Sequence, residues 1–127
     1  MTETTISQAI ATAAAEAARD KQAADVVVLD VAALLTITDY FVICSVASAP
    51  QLKAVIEAVE ERIRTELDLR PARREGDAEG GWLLLDYIDV VVHVFGEDER
   101  AYYDLERLWS DAPRPTWAAA RAGRSTG

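Results

Sequence analysis

At 127 residues the chain has the length of one domain and is long enough to bury a substantial core. Half of its residues are hydrophobic, which excludes an intrinsically disordered chain. A formal net charge of −9 argues against nucleic acid as the direct partner, because phosphate recognition relies on clustered Lys and Arg, and suits a basic protein surface instead.

In chain order, Thr5 opens a first helix, with Gln8 placed to complete a capping box. Ile6, Ile10, Ala13, Ala14 and Ala17 give that helix a thin, alanine-rich apolar stripe. Asp25–Val31 (DVVVLDV) is predicted as a strand whose continuous apolar run suggests burial on both faces. Ala32–Thr38 connects it to a second strand, Phe41–Val46. Ser48 is the expected N-cap of a longer helix, with Pro50 in its first turn and Gln51 at the third position. Leu52, Val55, Ile56, Val59, Ile63 and Leu67 form a single apolar face and carry this helix to about Leu69. Pro71 follows its end. Ala72–Glu75 is expected as a short edge strand, and Gly76–Gly81 (GDAEGG) as an acidic, glycine-rich loop. Trp82–Tyr87 and Asp89–Phe95 form a hairpin that Gly96 breaks. Glu99–Trp109 is predicted as a last helix, with Tyr102, Leu105 and Trp109 one turn apart. Pro113, Pro115 and the alanine- and arginine-rich ending suggest a flexible tail over 112–127, leaving a domain over 1–111. The order α-β-β-α-β-β-β-α implies one α/β domain, a mixed sheet of about five strands with helices packed on it.

The hairpin carries large side chains on both faces. Side chains alternate along a strand, so Val90, Val92 and Val94 share an apolar face that belongs in the core. Asp89, Val91, His93 and Phe95 share the other. With Tyr87 and Ile88 as a two-residue turn, Asp86 lies opposite Asp89, Leu84 opposite Val91, and Trp82 opposite His93. Trp82, Leu84, Val91, His93 and Phe95 then share one surface. Two readings of it stand: a face covered by a helix, or an exposed patch that marks a protein interface.

Few residues point to chemistry. Asp39, Asp86 and Asp89 lie at strand ends and could hold Mg²⁺ for nucleotide transfer, which requires converging carboxylates. The position two beyond Asp39 is Phe41, so a D-x-D pair is broken there. His93 is the sole histidine, and a lone histidine in a strand is more often a structural or interface residue than a catalyst, since a general base needs an orienting partner; Ser45 and Ser48 lie in no nucleophile elbow. Cys44 is the sole cysteine, in an apolar run without a basic neighbour, so neither a disulfide nor an activated thiol is expected. One Cys and one His make no zinc site. GDAEGG lacks a GK[ST] ending and leads into a strand, unlike a phosphate cradle. Arg70, Arg73 and Arg74 are too few for RNA binding alone. No catalytic residues, metal or cofactor are therefore expected. The MTETTISQ start has no basic region followed by an apolar stretch, and no run of about 18 apolar residues occurs, so a cytoplasmic protein without a membrane span is expected.

Several segments together resemble a known family: DVVVLDV at Asp25, TDYFVIC at Thr38, ARREG at Ala72, GGWLLLDYIDVVVHVF at Gly80 and YYDLERLW at Tyr102. The chain is similar over about Ile6–Trp109 to the Iojap family of ribosomal silencing factors. The resemblance implies an α/β domain akin to nucleotidyltransferases but without their catalytic residues. It also implies a translation repressor that binds the large ribosomal subunit through large-subunit protein fourteen and obstructs joining of the small subunit when nutrients are short. A homodimer is implied as a possibility. By matched position, Trp82, Leu84, Asp86 and His93 fall in the hairpin that the family presents to its partner, and Tyr102, Tyr103, Leu105, Glu106 and Trp109 in the following helix. The rival readings are a metal-dependent nucleotidyltransferase using Asp39, Asp86 and Asp89, and a module whose apolar hairpin face serves only self-association.

Overall fold

A computed structural model describes residues 5–34, 37–104, 107, 110, 112–115 and 117. Its elements are α1 (Ile6–Asp20), β1 (Ala24–Asp30), β2 (Tyr40–Val46), α2 (Ala49–Leu67), β3 (Arg73–Asp77), β4 (Trp82–Asp86), β5 (Val90–Gly96) and α3 (Glu97–Tyr103). The expected order and the single α/β domain are both observed. The strands form one sheet in the order β1-β2-β5-β4-β3. β2 and β5 pair in parallel, and the other neighbours are antiparallel. A parallel pair needs a crossover connection, and α2 lies in it, followed by β3 and β4 on the far side of β5.

Local chemistry accounts for the helix ends. The Thr5 hydroxyl accepts a hydrogen bond from the Gln8 amide at 3.1 Å, satisfying one of the unpaired N–H groups of the first turn. In α2 the Ser48 hydroxyl accepts from the Gln51 amide at 3.2 Å, while the Gln51 side-chain oxygen accepts from the Ala47 amide at 2.7 Å. α2 stops at Leu67, two residues short of expectation, because Asp68 turns left-handed at φ 56°.

α1 and α2 cover one face of the sheet. Ile10 and the alanines at 11, 13, 14, 15, 17 and 18 are buried, as are Leu52, Val55, Ile56, Val59 and Ile63 of α2. They meet Val28, Val42, Cys44, Leu83, Leu85, Val90, Val92 and Val94 from the strands. Alanine dominates α1 because that helix packs against both α2 and the sheet, where small side chains permit close approach. Ile6, expected in the apolar stripe, is instead exposed. Ser7 turns inward in its place, and its hydroxyl donates to the Asp39 carboxylate at 2.6 Å. At the outer α1–α2 seam, Arg62 pairs with Glu16, Asp20 and Glu66.

The other sheet face holds a smaller apolar cluster of Leu29, Val31, Phe41, Ile43, Phe95 and Ala112, with Val27, Trp82 and Val91 partly buried against it. β2, an interior strand between β1 and β5, is buried along its whole length. β1 is an edge strand with a bulge between Ala24 and Val27, yet Val28 and Leu29 are buried on opposite faces, as the apolar run suggested. Of the segment expected as a flexible tail, Ala112 is buried, the Pro113 carbonyl accepts from the Asp30 amide at 2.8 Å, and Trp117 meets Tyr40 edge-on at 5.6 Å.

The hairpin departs from the predicted register. Asp86 pairs with Val91, Leu84 with His93 and Trp82 with Phe95, a shift of two residues along β5. The cause is the turn. Tyr87 and Ile88 do not suit a two-residue loop, and the connection instead spans Tyr87 to Val90. Within it the Asp89 amide bonds the Tyr87 carbonyl at 2.9 Å, and Ile88 takes φ 74°. The Asp86 carboxylate steadies the turn by accepting from the Ile88 amide at 2.8 Å. Because the side-chain period is two, a shift of two leaves every face assignment intact.

β3 runs further than Glu75, through Gly76 and Asp77, so the glycine-rich stretch begins as strand. α3 begins at Glu97, before the predicted Glu99, and ends at Tyr103, where Asp104 turns left-handed at φ 46°. Leu105, Glu106 and Trp109 lie outside the described residues.

Candidate functional site

The sheet order decides which side chains converge. β2 beside β5 brings Phe41 next to Val91, and β3 beside β4 brings Glu75 next to Leu84 and Arg73 next to Asp86. On the face away from α1 and α2 these residues line a depression of about 490 Å³, completed by Ile37 and Thr38 before β2, Ile88 at the hairpin turn and His93 on β5. Ile37 and Ile88 are exposed, 78% and 57%, while Leu84 and Val91 are half-buried. An apolar patch rimmed by charge is the expected anatomy of a protein-docking surface.

The rim is an ion-pair network. The Arg73 guanidinium donates to the Asp86 carboxylate at 2.9 Å and lies 3.8 Å from Glu75. The hydrogen bond and charge of Asp86, with the charge of Glu75, raise the Arg73 guanidinium above its ordinary value. Two carboxylates against one cation leave the rim acidic.

His93 is 8% exposed, stacked on Phe95 at 5.9 Å and edge-on to Phe41 at 5.1 Å. Burial pushes its imidazole down to about 4, so the ring is neutral at physiological pH. Among the described residues neither ring nitrogen has a hydrogen-bond partner, and the buried Thr38 hydroxyl has none either.

Of the residues singled out from sequence, Leu84, Asp86 and His93 meet in this depression. Trp82 shares their face but sits at the other end of β4 beside Phe95, half-buried, and does not line it. Tyr102 and Tyr103 lie in α3, which follows the far end of β5; Tyr102 is 82% exposed. Sequence reasoning missed Ile37, Thr38, Phe41, Arg73, Glu75 and Ile88. The even spacing of Arg73 and Glu75 was a signal that they share a strand face, but nothing local said which strand would lie beside them.

The carboxylates of the rival metal site do not converge. Asp39 bonds Ser7, and Asp86 bonds Arg73 and the Ile88 amide. Among the described residues no group of three or more His, Cys, Asp or Glu side chains could hold a metal ion. At the carboxyl ends of β2 and β5, a usual ligand position in α/β sheets, a second hollow is lined by Glu79, Glu97, Asp98 and Glu99, with no lysine or arginine among the described residues. That lining repels a nucleotide's phosphates. Burial pushes the Cys44 thiol up to about 12, leaving it without nucleophilic character. No helix among the described residues is long and apolar enough to cross a membrane.

Comparison with known proteins agrees with this architecture. The family model described as "Ribosomal silencing factor during starvation" matches residues 4–126. The ribosomal silencing factor RsfS of Bacillus subtilis is 43% identical over 100 residues, covering 79% of this chain and 84% of that protein. The chloroplastic protein Iojap of Arabidopsis thaliana is 35% identical over 108 residues, 84% of this chain and 44% of that longer protein. A crystal structure of a Chromobacterium violaceum protein superposes with a TM-score of 0.77 at 32% identity, covering 90% of this chain and 91% of that one.

Proposed function

The chain belongs to the family of ribosomal silencing factors, and from that membership we propose that it binds the large ribosomal subunit through ribosomal protein fourteen and sterically keeps the small subunit from joining, repressing translation under nutrient limitation. The observation that carries this reading is the charge-rimmed apolar depression on the face of the sheet away from α1 and α2. Burial of Leu84, Val91, Ile37 and Ile88 against a partner supplies affinity. A net charge of −9 steers the protein toward a basic surface and sets its orientation there. Occlusion needs no chemistry, so no catalytic group is required.

Co-sedimentation with isolated large subunits tests the reading. Wild type is expected to co-migrate, Leu84→Asp in the depression to lose binding, and Trp82→Ala, on the same sheet face beside it, to weaken binding by about 2–4 kcal/mol. A folded Trp82→Ala that binds like wild type removes the indole as anchor. Wild type that stays at the top of the gradient removes the reading. If it instead sediments alone as a dimer that Trp82→Ala dissociates, the face serves a homodimer.

A further inference from the structure

We propose that the depression is a pocket for one cationic side chain, an arginine or lysine, of the docked protein, with the His93 imidazole and the Thr38 hydroxyl as hydrogen-bond acceptors at its floor. This rests on the docking reading above and adds what the pocket selects.

Buried polar groups are almost always hydrogen-bonded, and each exception asks for a partner. Among the described residues four buried side-chain atoms lack one: the Thr38 hydroxyl, the Tyr87 hydroxyl and both nitrogens of His93. Tyr87 belongs to the helix-covered core, whereas Thr38 and His93 line the same depression. Two residues that line one surface concavity therefore carry three of these buried, unpaired polar atoms.

The surroundings favour a cation with an apolar stem. Phe41, Leu84 and Val91 offer walls to methylene groups, as long basic side chains prefer. A neutral imidazole has one acceptor nitrogen, so an incoming ammonium or guanidinium meets a lone pair rather than a like charge. Glu75 and Asp86 outnumber Arg73 at the rim, and Arg73 is already committed to both. A carboxylate tip would instead face these acids.

The test measures binding of purified ribosomal protein fourteen, and of its variants with each surface lysine or arginine changed to methionine, to wild type, His93→Phe, His93→Gln, Thr38→Val and Leu84→Asp. His93→Phe keeps the aromatic packing and removes the acceptor. It is expected to weaken binding at least ten-fold, the loss for a hydrogen bond to a charged group. His93→Gln, which retains an acceptor, is expected to recover much of this. One basic position on the partner should matter to wild type but not to His93→Phe, the signature of a coupled pair. His93→Phe and Thr38→Val binding like wild type, or no basic position coupling to His93, overturns the pocket while Leu84→Asp still abolishes docking. Wild type that binds neither the protein nor large subunits overturns the docking reading itself. Should His93→Phe melt below the assay temperature, Thr38→Val carries the same comparison.

Discussion

His93 sits between two aromatic rings with both nitrogens unpaired among the described residues, and burial holds its imidazole well below the usual histidine range. The unfolded chain binds a proton near pH 6.5, and the folded chain only near pH 4. Between these values the unfolded state holds more protons, so stability is fully present above pH 6.5 and falls as pH drops toward 4. The limiting slope is about 1.4 kcal/mol per pH unit. Thermal melts from pH 7 to pH 5 are expected to show this loss in wild type, and His93→Phe to flatten it over that range. Equal slopes would mean that the ring is already charged or solvated in the folded protein. The residue type and its strand face were legible from alternation. Its lack of a partner was not, because that depends on Phe41 and Phe95 closing around it.

At the scale of elements, the hairpin separates what sequence specifies strongly from what it specifies weakly. The parity of Val90, Val92 and Val94 fixed the core face, and a register shift of two residues could not disturb it. The turn was misjudged because Ile88 adopts a left-handed conformation that β-branched residues rarely take, held by the hydrogen bond to Asp86. Glycine was easier to notice than to interpret. Gly76 looked like the start of a loop, yet it lies within β3 at φ 88°, and an added Cβ would come within 2.3 Å of the Trp82 carbonyl oxygen and 2.7 Å of its indole. Gly76→Ala is therefore expected to cost roughly 2–4 kcal/mol, combining backbone strain with overpacking. Denaturant unfolding measures the cost, and a loss below about 0.5 kcal/mol would contradict this packing. The longer helix was legible almost to its ends because one apolar face and a capping residue agreed. The last helix was not, because its acidic first turn starts directly after Gly96 and Asp104 ends it at Tyr103.

The whole molecule adds what no segment contains: the neighbours of each strand. β2 against β5 and β3 against β4 turn scattered residues into one depression, so most of the candidate site could not be read from local pattern. Composition did speak at this scale. A chain carrying −9, with an apolar patch bounded by Arg73, Glu75 and Asp86, has the charge complementarity that the proposed docking on a basic protein surface requires. Leu84 lies in the middle of that patch, and its side chain supports no helix-covered core. Leu84→Asp therefore separates docking from folding. The most direct measurement is joining of purified large and small ribosomal subunits, followed by light scattering, with wild type or Leu84→Asp added. The account expects wild type to suppress the rise in scattering in proportion to its occupancy of large subunits, and folded Leu84→Asp to leave joining at the rate without protein. Undiminished joining at saturating wild type, or equal suppression by both proteins, would contradict it.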